Sequence, residues 1–414
     1  MMKKMYCPLT IEDKILRLVK DWFEAELDGD FDARERSKAL LKRFLVETDD
    51  GTFTLESSPV INGKETMHTI HGALLEARKK FLEPANLHGK EKVNILDLCS
   101  GLGYNTTVVL EALMDDAVDV KIDMVEVSLE TISLALLIHS PLKSHKLIKK
   151  TIEKKLINDG YLIFEKEKLE IPSNIDIKIH CKDAREFIKS IKPHEHELYD
   201  AVFLDPFSPG KTPELYSLEF FQGLSGLIKK EGLILTYTSA APVRSALLEA
   251  GFQVGEGPTL KRRGGTMASP SITMITKSLS KDDERMIALS DVGIPFKDPK
   301  LDNLAEDIFE RRESERKTAR GYYKLASTVK TPVYLNKVIR NHRLKKRVLE
   351  HLGQLGIMGL DSPISRYLVC PQFSECICNC GQGKYKGSKN RINEMCKRLN
   401  DVVKGENFGF RNKI

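Results

Sequence analysis

Strand-like and helix-like segments alternate along the middle of this chain, and this alternation constrains the fold more than any other feature. Short segments rich in Val, Ile and Leu are each followed by a polar turn and then by a segment with helical periodicity. Because βαβα order is typical of parallel strands with helices on both faces, it predicts an α/β fold with a doubly wound, mostly parallel sheet. The predicted strands cover residues 93–98, 120–127, 175–181, 199–205, 232–238 and 271–276.

The segments that flank this alternation have a different character. The predicted regions are an N-terminal helical and β extension that contributes to the site (1–88), the sheet domain (89–300) and a basic, Cys-rich C-terminal region (301–414). Residues 65–83 predict a helix that ends at Pro84.

A glycine-rich turn, "LDLCSGLGYNT", follows the first strand and contains Asp97, Gly101 and Gly103. Glycine is needed where the backbone turns tightly against a ligand. Thr106 stands where a dinucleotide site would need a third glycine, so the pattern resembles the D-x-G-x-G-x-G turn of S-adenosylmethionine (SAM) methyltransferases. Cys99 replaces the first glycine of that pattern, and we interpret it as a small packed residue rather than a nucleophile.

Acidic residues stand at the ends of the next two strands. Glu126 is placed to accept the ribose hydroxyls, and Asp183 is placed to meet the adenine amino group. Since the carboxyl ends of parallel strands share one edge of the sheet, these features predict a SAM site in a Rossmann-like sheet. The predicted cofactor-binding residues of this sheet are Asp97, Gly101, Gly103, Asn105, Glu126, Asp183 and Ala184.

Asp205 ends the fourth strand, in the stretch "FLDPFSPGKTP". A primary ammonium must lose a proton before its nitrogen can attack a methyl group, and a neighbouring carboxylate can orient the amine and take that proton. Pro206 and Pro209 stiffen the loop that holds this carboxylate. The position therefore predicts an N-methyltransferase.

The stretch from residue 199 to residue 254 resembles the methyltransferase domain of MnmC-type enzymes, which methylate 5-aminomethyl-2-thiouridine at the tRNA wobble position. The residues that match the family pattern are Asp205, Phe207, Pro209, Lys211 and Pro213, and "TYTSAAPVRSALLEAGF" and "DDGTFTLESSPVINGKETMHTIHGALLEARKKF" resemble two further family segments.

The resemblance implies a site and a partner. Asp205 would contact the amine, Lys211 would contact substrate or phosphate, and Glu65 and His68 would lie near the SAM entrance. Bifunctional members also carry an FAD-dependent oxidase half. This sequence has no second dinucleotide fingerprint, so we expect a methylase that acts on tRNA without FAD.

Basic residues are concentrated near the C-terminus. Residues 301–414 contain 23 Lys and Arg against 12 Asp and Glu, and residues 316–347 contain 11 basic residues and no acidic one. This distribution favours a polyanionic partner, in agreement with tRNA. Residues 336–352 predict a basic helix, with Val338 and Val348 on its apolar side.

Five cysteines lie close together in the same region: Cys370, Cys376, Cys378, Cys380 and Cys396. Without a signal peptide they favour a four-thiol metal site over disulfides, with zinc preferred to an iron–sulfur cluster. Alternation along a strand would point Cys378 away from Cys376 and Cys380. Reduced structural cysteines and a redox role are the alternatives.

The start of the chain is amphipathic, and no apolar run is long enough to span a bilayer, so we expect a cytoplasmic protein without a membrane partner. Two functional alternatives stay open on the residues alone. One is a methyl- or aminopropyl-transferase that acts on another amine. The other is a non-catalytic factor that binds SAM and RNA.

Overall fold

The computed structural model describes residues 9–58, 65–116, 118–191, 196–260, 264–381 and 384–405. Its α-helices are α1 (Asp13–Leu27), α2 (Ala33–Leu41), α3 (Ala73–Ala77), α4 (Glu83–Ala85), α5 (Tyr104–Leu113), α6 (Leu129–Ser133), α7 (His145–Asn158), α8 (Ala184–Ser190), α9 (Leu218–Ser225), α10 (Ala241–Glu249), α11 (Lys281–Leu289), α12 (Ala305–Ala319), α13 (His342–Gly353), α14 (Pro363–Val369) and α15 (Gly387–Lys404). Its strands are β1 (Val46–Glu47), β2 (Phe53–Thr54), β3 (Lys92–Leu98), β4 (Asp119–Glu126), β5 (Ile175–Cys181), β6 (Tyr199–Leu204), β7 (Ile228–Thr236), β8 (Gln253–Glu256) and β9 (Thr266–Ser269).

Seven of these strands form one sheet in the order β5-β4-β3-β6-β7-β9-β8. The five strands from β5 to β7 in this order are parallel to their neighbours. The side chains of all six β6 residues are buried, as expected of a strand that is paired on both edges and covered on both faces. The prediction of a doubly wound, mostly parallel Rossmann-like sheet with an N-terminal helical extension is therefore confirmed.

The chain divides into two compact units. The first contains the described residues up to Leu215, together with those of Gly226–Thr238 and Gly257–Met267. The second contains Tyr216–Ser225, Ser239–Glu256 and the described residues from Ala268 onward. The three-region division at residues 88 and 300 stays a prediction. Among the described residues, every helix is too short or too polar to cross a membrane.

The predicted helix over residues 65–83 begins later and continues past its predicted end. Gly72, with φ of 116°, precedes α3, and the Asp50 carboxylate accepts a hydrogen bond of 2.9 Å from the N–H of Leu75 in its first turn. After α3 the chain forms a π-helical turn and then enters α4, where Pro84 lies in the first turn. The N–H of Glu83 donates to the carbonyl of Arg78, five residues back, and Pro84, which has no N–H to donate, follows where this π-helical spacing ends.

Two further sequence predictions were wrong in detail. Residues 271–276, predicted as the last strand, contain a short 3₁₀ turn instead. The strand in this part of the chain is β9, which lies earlier and stops before Pro270, because proline lacks the N–H for a sheet bond. The basic helix begins only at His342, after the side chain of Asn341 accepts a bond from the N–H of Leu344. Val338 therefore lies outside the helix and is 92% exposed, whereas Val348 is buried.

Candidate active site

The turn after β3 has an unusual backbone. Cys99, Gly101 and Gly103 have φ values of 62°, 51° and 81°, all in the left-handed region. The N–H of Cys99 donates to the carbonyl of Val125 at 2.8 Å, which ties the turn to the end of β4. A Cβ atom at Gly101 would lie 2.7 Å from the terminal methyl of Met67. Glycine at this position thus keeps the turn close to its neighbours.

Asp97 and Gly103 support this turn from behind. Asp97 is completely buried and accepts a hydrogen bond of 2.8 Å from the Thr106 hydroxyl, and burial raises the pKa of its carboxyl to about 6. A Cβ at Gly103 would lie 3.1 Å from Ile148. Both residues are placed to shape the turn, and their direct contact with a cofactor stays a prediction.

A cavity of about 250 Å³ opens at the carboxyl ends of the parallel strands. Most of the site residues that the sequence predicted lie together on its wall. They are Glu65, His68, Gly101, Asn105, Glu126, Asp183, Ala184 and Asp205.

Glu126, at the end of β4, is held by two backbone N–H groups. Its two oxygens accept hydrogen bonds from the N–H groups of Gly101 and Ser128, each at 3.1 Å. The side chain is buried, and burial raises the pKa of its carboxyl. The same carboxylate thus fixes the glycine turn and faces the cavity.

Asp183, after β5, has a structural role in addition to its place on the wall. Its carboxylate caps α8 by accepting a bond of 2.7 Å from the N–H of Arg185, and the Arg185 guanidinium lies 3.0 Å from it. The structure thus places a helix cap and a cavity-lining acid on one residue.

Asp205 follows β6, and its N–H donates to the carbonyl of Leu98 at 3.2 Å. Its carboxylate accepts a hydrogen bond of 3.1 Å from the amide nitrogen of Asn105. Burial, with a smaller effect from the negative charge of Glu76, raises the pKa of Asp205 to about 8, against the effects of Asn105 and Lys80. A carboxylate with this pKa is a much stronger proton acceptor than an ordinary aspartate.

Glu76 and Lys80 also line the cavity, and neither was predicted from the sequence. Glu76 of α3 accepts a hydrogen bond from the Thr69 hydroxyl and lies 3.2 Å from the Lys80 ammonium. That ammonium is 5.7 Å from the centroid of the Tyr237 ring. The i,i+4 spacing of Glu76 and Lys80 in the sequence is typical of an ion pair on a helix. The π-helical turn at Arg78–Leu82, which makes this segment irregular, is visible only in the structure.

His68 lies on the wall as an uncharged ring. Its backbone N–H donates to the Thr54 hydroxyl at 2.9 Å, and its ring meets that of Tyr104 edge-on at 5.4 Å. Burial lowers the pKa of His68 to about 4. At neutral pH the ring is therefore available for hydrogen bonding and carries no charge.

Lys211 is turned toward Glu65. The Glu65 carboxylate accepts bonds from the N–H and the hydroxyl of Ser208, at 3.3 and 3.0 Å, and lies 3.8 Å from the Lys211 ammonium. The Lys211 side chain is 8% exposed. Its position favours a role in holding the loop after Asp205, and direct contact with substrate stays a prediction.

Cys99 lines the cavity, but its surroundings keep its thiol protonated and therefore unreactive. Burial, followed by the negative charges of Glu126 and Asp205, raises the pKa of the Cys99 thiol well above its usual range. A protonated thiol is a poor nucleophile, which supports the interpretation of Cys99 as a packed residue.

Four of the five candidate cysteines come together in the structure, and their binding of a metal stays a prediction. The sulfur atoms of Cys370, Cys376, Cys378 and Cys380 converge. Cys378 points the same way as its neighbours because these residues form a loop and not a strand. Cys396 lies on α15, where its thiol donates to the carbonyl of Ala288 at 3.3 Å.

Comparison with known proteins places this architecture in a family. A family profile described as S-adenosyl-L-methionine-dependent methyltransferase matches residues 145–271. An uncharacterized protein of Methanocaldococcus jannaschii is 36% identical over 290 residues, which cover 69% of this chain and 76% of that protein. The crystal structure of MNMC2 from Aquifex aeolicus is similar with a TM-score of 0.54 and 26% identity, over 72% of this chain and 99% of that one.

The chain belongs to the MnmC-like family of SAM-dependent methyltransferases. A further relative, the tRNA 5-methylaminomethyl-2-thiouridine biosynthesis bifunctional protein MnmC of Vibrio vulnificus, is 39% identical over 78 residues. That segment is 19% of this methyltransferase and 12% of the length of the Vibrio protein.

Proposed function

We propose that this methyltransferase transfers a methyl group to the amine of a 5-aminomethyl group on a tRNA wobble uridine or 2-thiouridine. The observation that carries the proposal is Asp205, whose carboxylate lines the cavity with a pKa raised to about 8. The name of the MnmC relatives supports the choice of acceptor, because the matching segment belongs to proteins of tRNA 5-methylaminomethyl-2-thiouridine biosynthesis.

The cavity wall fits SAM. Glu126 offers acceptor oxygens to ribose hydroxyls, and the glycine turn leaves room for a ligand close to the backbone. The hydroxyl oxygen of Thr131 is buried on the wall and has no hydrogen-bond partner among the described residues, so a polar ligand group would satisfy it. Asp183 and Ala184 would hold the adenine end.

The proposed reaction requires a base from the protein, because the attacking atom is the nitrogen of the acceptor itself. When bound, SAM supplies a methyl group carried on a positively charged sulfur. An aminomethyl group is protonated at neutral pH, so its nitrogen must lose a proton before a new N–C bond can form. A bound ammonium would favour the ionised form of Asp205, and that carboxylate would accept the proton, while Asn105 fixes its direction.

The surroundings of Asp205 favour a cationic acceptor. Six acidic residues line the cavity against two lysines, and one of these acids, Glu76, is held in place by its pairing with Lys80. The apolar rings of Phe207 and Tyr237 also line the cavity and would exclude water from the reacting nitrogen.

The proposed tRNA contact lies on α13. Arg343, Lys345, Lys346 and Arg347 are all exposed there. Two other cations of the basic stretch have an internal partner: Arg316 and Arg320 lie 3.0 and 2.9 Å from the buried carboxylate of Asp291. These arginines are structural, so phosphate binding is assigned to α13.

The proposal is tested by methyl transfer in vitro from isotope-labelled SAM. The acceptors would be tRNA that carries 5-aminomethyl-2-thiouridine, the same tRNA already methylated at that amine, and a free polyamine. Label in the first tRNA alone would support the proposal. Label in the polyamine alone would indicate a methyltransferase of small amines, and SAM binding without any transfer would indicate a non-catalytic factor.

A further inference from the structure

Four cysteine thiols converge in the part of the chain between α14 and α15. Their sulfur atoms all lie within 4.8 Å of one another. The sulfur of Cys376 is 3.9 Å from that of Cys370, 4.0 Å from that of Cys378 and 3.7 Å from that of Cys380. Zinc–sulfur bonds of about 2.3 Å in a tetrahedron separate the sulfurs by about 3.8 Å. The spacing therefore suits one ion held by four sulfurs.

The backbone is shaped to bring these thiols together. Cys370 follows directly after α14, and the N–H of Ile377 donates to its sulfur at 3.4 Å. Asn379 and Gly381 have φ values of 61° and 68°, so the chain turns through left-handed residues on either side of Cys380. A non-glycine residue in this region is strained, and the strain is consistent with a loop that is closed around a ligand.

A buried cation faces the same sulfurs. The Arg398 side chain is 1% exposed, and its two terminal nitrogens lie 3.8 Å from the sulfur of Cys378 and 3.6 Å from that of Cys380. Its remaining contacts include the Glu394 carboxylate at 2.8 Å and the Tyr367 carbonyl at 2.7 Å. A guanidinium donates far better to thiolates than to thiols, and thiolates are the form that binds metal.

We propose that Cys370, Cys376, Cys378 and Cys380 bind one structural zinc ion as a Cys₄ site, with Arg398 as the neighbouring group that balances its charge. On binding, the four thiols release their protons and form four zinc–sulfur bonds, which leaves a complex of charge −2 beside the guanidinium. A cubic iron–sulfur cluster is disfavoured because it places an iron under each thiolate and so spreads the sulfurs farther apart than these are.

The ion would join the end of α14 to the loop that precedes α15. Three of the ligands come from residues 376–380, which have no regular secondary structure, so the bonds to zinc would fix a loop that has few other restraints. All four protein ligands are present, so the site is closed and has no open position for a substrate. The proposed role is stability of the second unit.

The test is metal analysis by mass spectrometry of the full chain, purified without added zinc and without an affinity tag that binds metal. Wild-type protein is expected to contain one zinc per chain, and Cys378→Ser less than a tenth of that. Cys396→Ser is the matched control, because serine keeps the donor to the Ala288 carbonyl, and it should retain full zinc. Zinc X-ray absorption of the wild type should show four sulfur neighbours at about 2.3 Å.

Several results would overturn the proposal. They are a wild-type protein without metal, a protein with iron in place of zinc, a zinc signal with nitrogen or oxygen neighbours, and equal zinc loss in the Cys378 and Cys396 variants. X-ray absorption uses the unaltered chain, so it decides the question even if Cys378→Ser does not fold.

Discussion

Replacement of Asp205 by asparagine removes a carboxyl group whose ionisation costs the folded protein free energy. The carboxyl ionises near pH 4 in an unfolded chain, whereas burial raises its pKa to about 8 in the folded protein. Between these pH values the folded state keeps a proton that the unfolded state has lost. The free energy of unfolding should therefore fall as pH rises, by up to about 1.4 kcal/mol per pH unit. Since Asp205 lines a cavity, water makes this an upper value.

The Asp205→Asn protein should consequently be more stable and less active than wild type. The amide cannot ionise, so its melting temperature should exceed that of wild type by a margin that widens from about pH 5 to about pH 8. Its amide oxygen can still accept the bond from Asn105 but cannot take a proton. Methyl transfer should slow by about 100-fold, equivalent to about 2.7 kcal/mol in the barrier.

The assay combines thermal unfolding across this pH range with single-turnover methyl transfer to tRNA at saturating SAM. Asp123→Asn is the matched control, because Asp123 lies in β4 and its carboxylate is bonded to His180 and the Tyr199 hydroxyl rather than to a cavity group. It should leave the transfer rate within about twofold of wild type. Full single-turnover activity in folded Asp205→Asn protein would refute the role of Asp205 as a base. A lower melting temperature with activity lost in proportion would show a structural role instead.

Two further predictions concern the cofactor and the tRNA. Glu126→Ala should weaken SAM binding by about 1–3 kcal/mol in calorimetry, because ribose hydroxyls would lose a charged acceptor, and unchanged affinity would place SAM elsewhere. Lys345→Gln with Lys346→Gln should weaken tRNA binding and make the plot of log affinity against log salt shallower by about 1–2 units, whereas the exposed pair Lys121→Gln with Lys178→Gln should not. Equal effects of the two pairs would rule out α13 as the docking surface.

The sheet was predictable because its signal is local and repeated. Each parallel strand is a short apolar run that ends in a polar turn, and hydrophobic periodicity is sufficient to find such runs. Three acids of the cavity could be predicted in the same way, since Glu126, Asp183 and Asp205 each stand at the end of a strand or just after it. The placement of these residues on one wall needed only the rule that parallel strands end at a common edge.

The remaining features depend on contacts between distant residues. Asp50 caps α3 from a separate loop, so the start of that helix cannot be found from its own sequence. Glu76 and Lys80 line the cavity beside and within a π-helical turn, which has no simple sequence signal. The convergence of Cys376, Cys378 and Cys380 depends on an irregular loop with a left-handed Asn379, whereas the residue pattern alone indicates an alternating strand.

The central claim, that this chain methylates the aminomethyl group of a tRNA wobble uridine, is tested most directly in cells. Transfer RNA from a strain without the gene would be digested to nucleosides and compared with wild type by mass spectrometry. A strain carrying the Asp205→Asn gene would serve as the matched sample in which the protein is present. The account predicts that 5-aminomethyluridine, or its 2-thio form, accumulates in both mutants while the methylated nucleoside disappears. An unchanged nucleoside profile in the strain without the gene would contradict it.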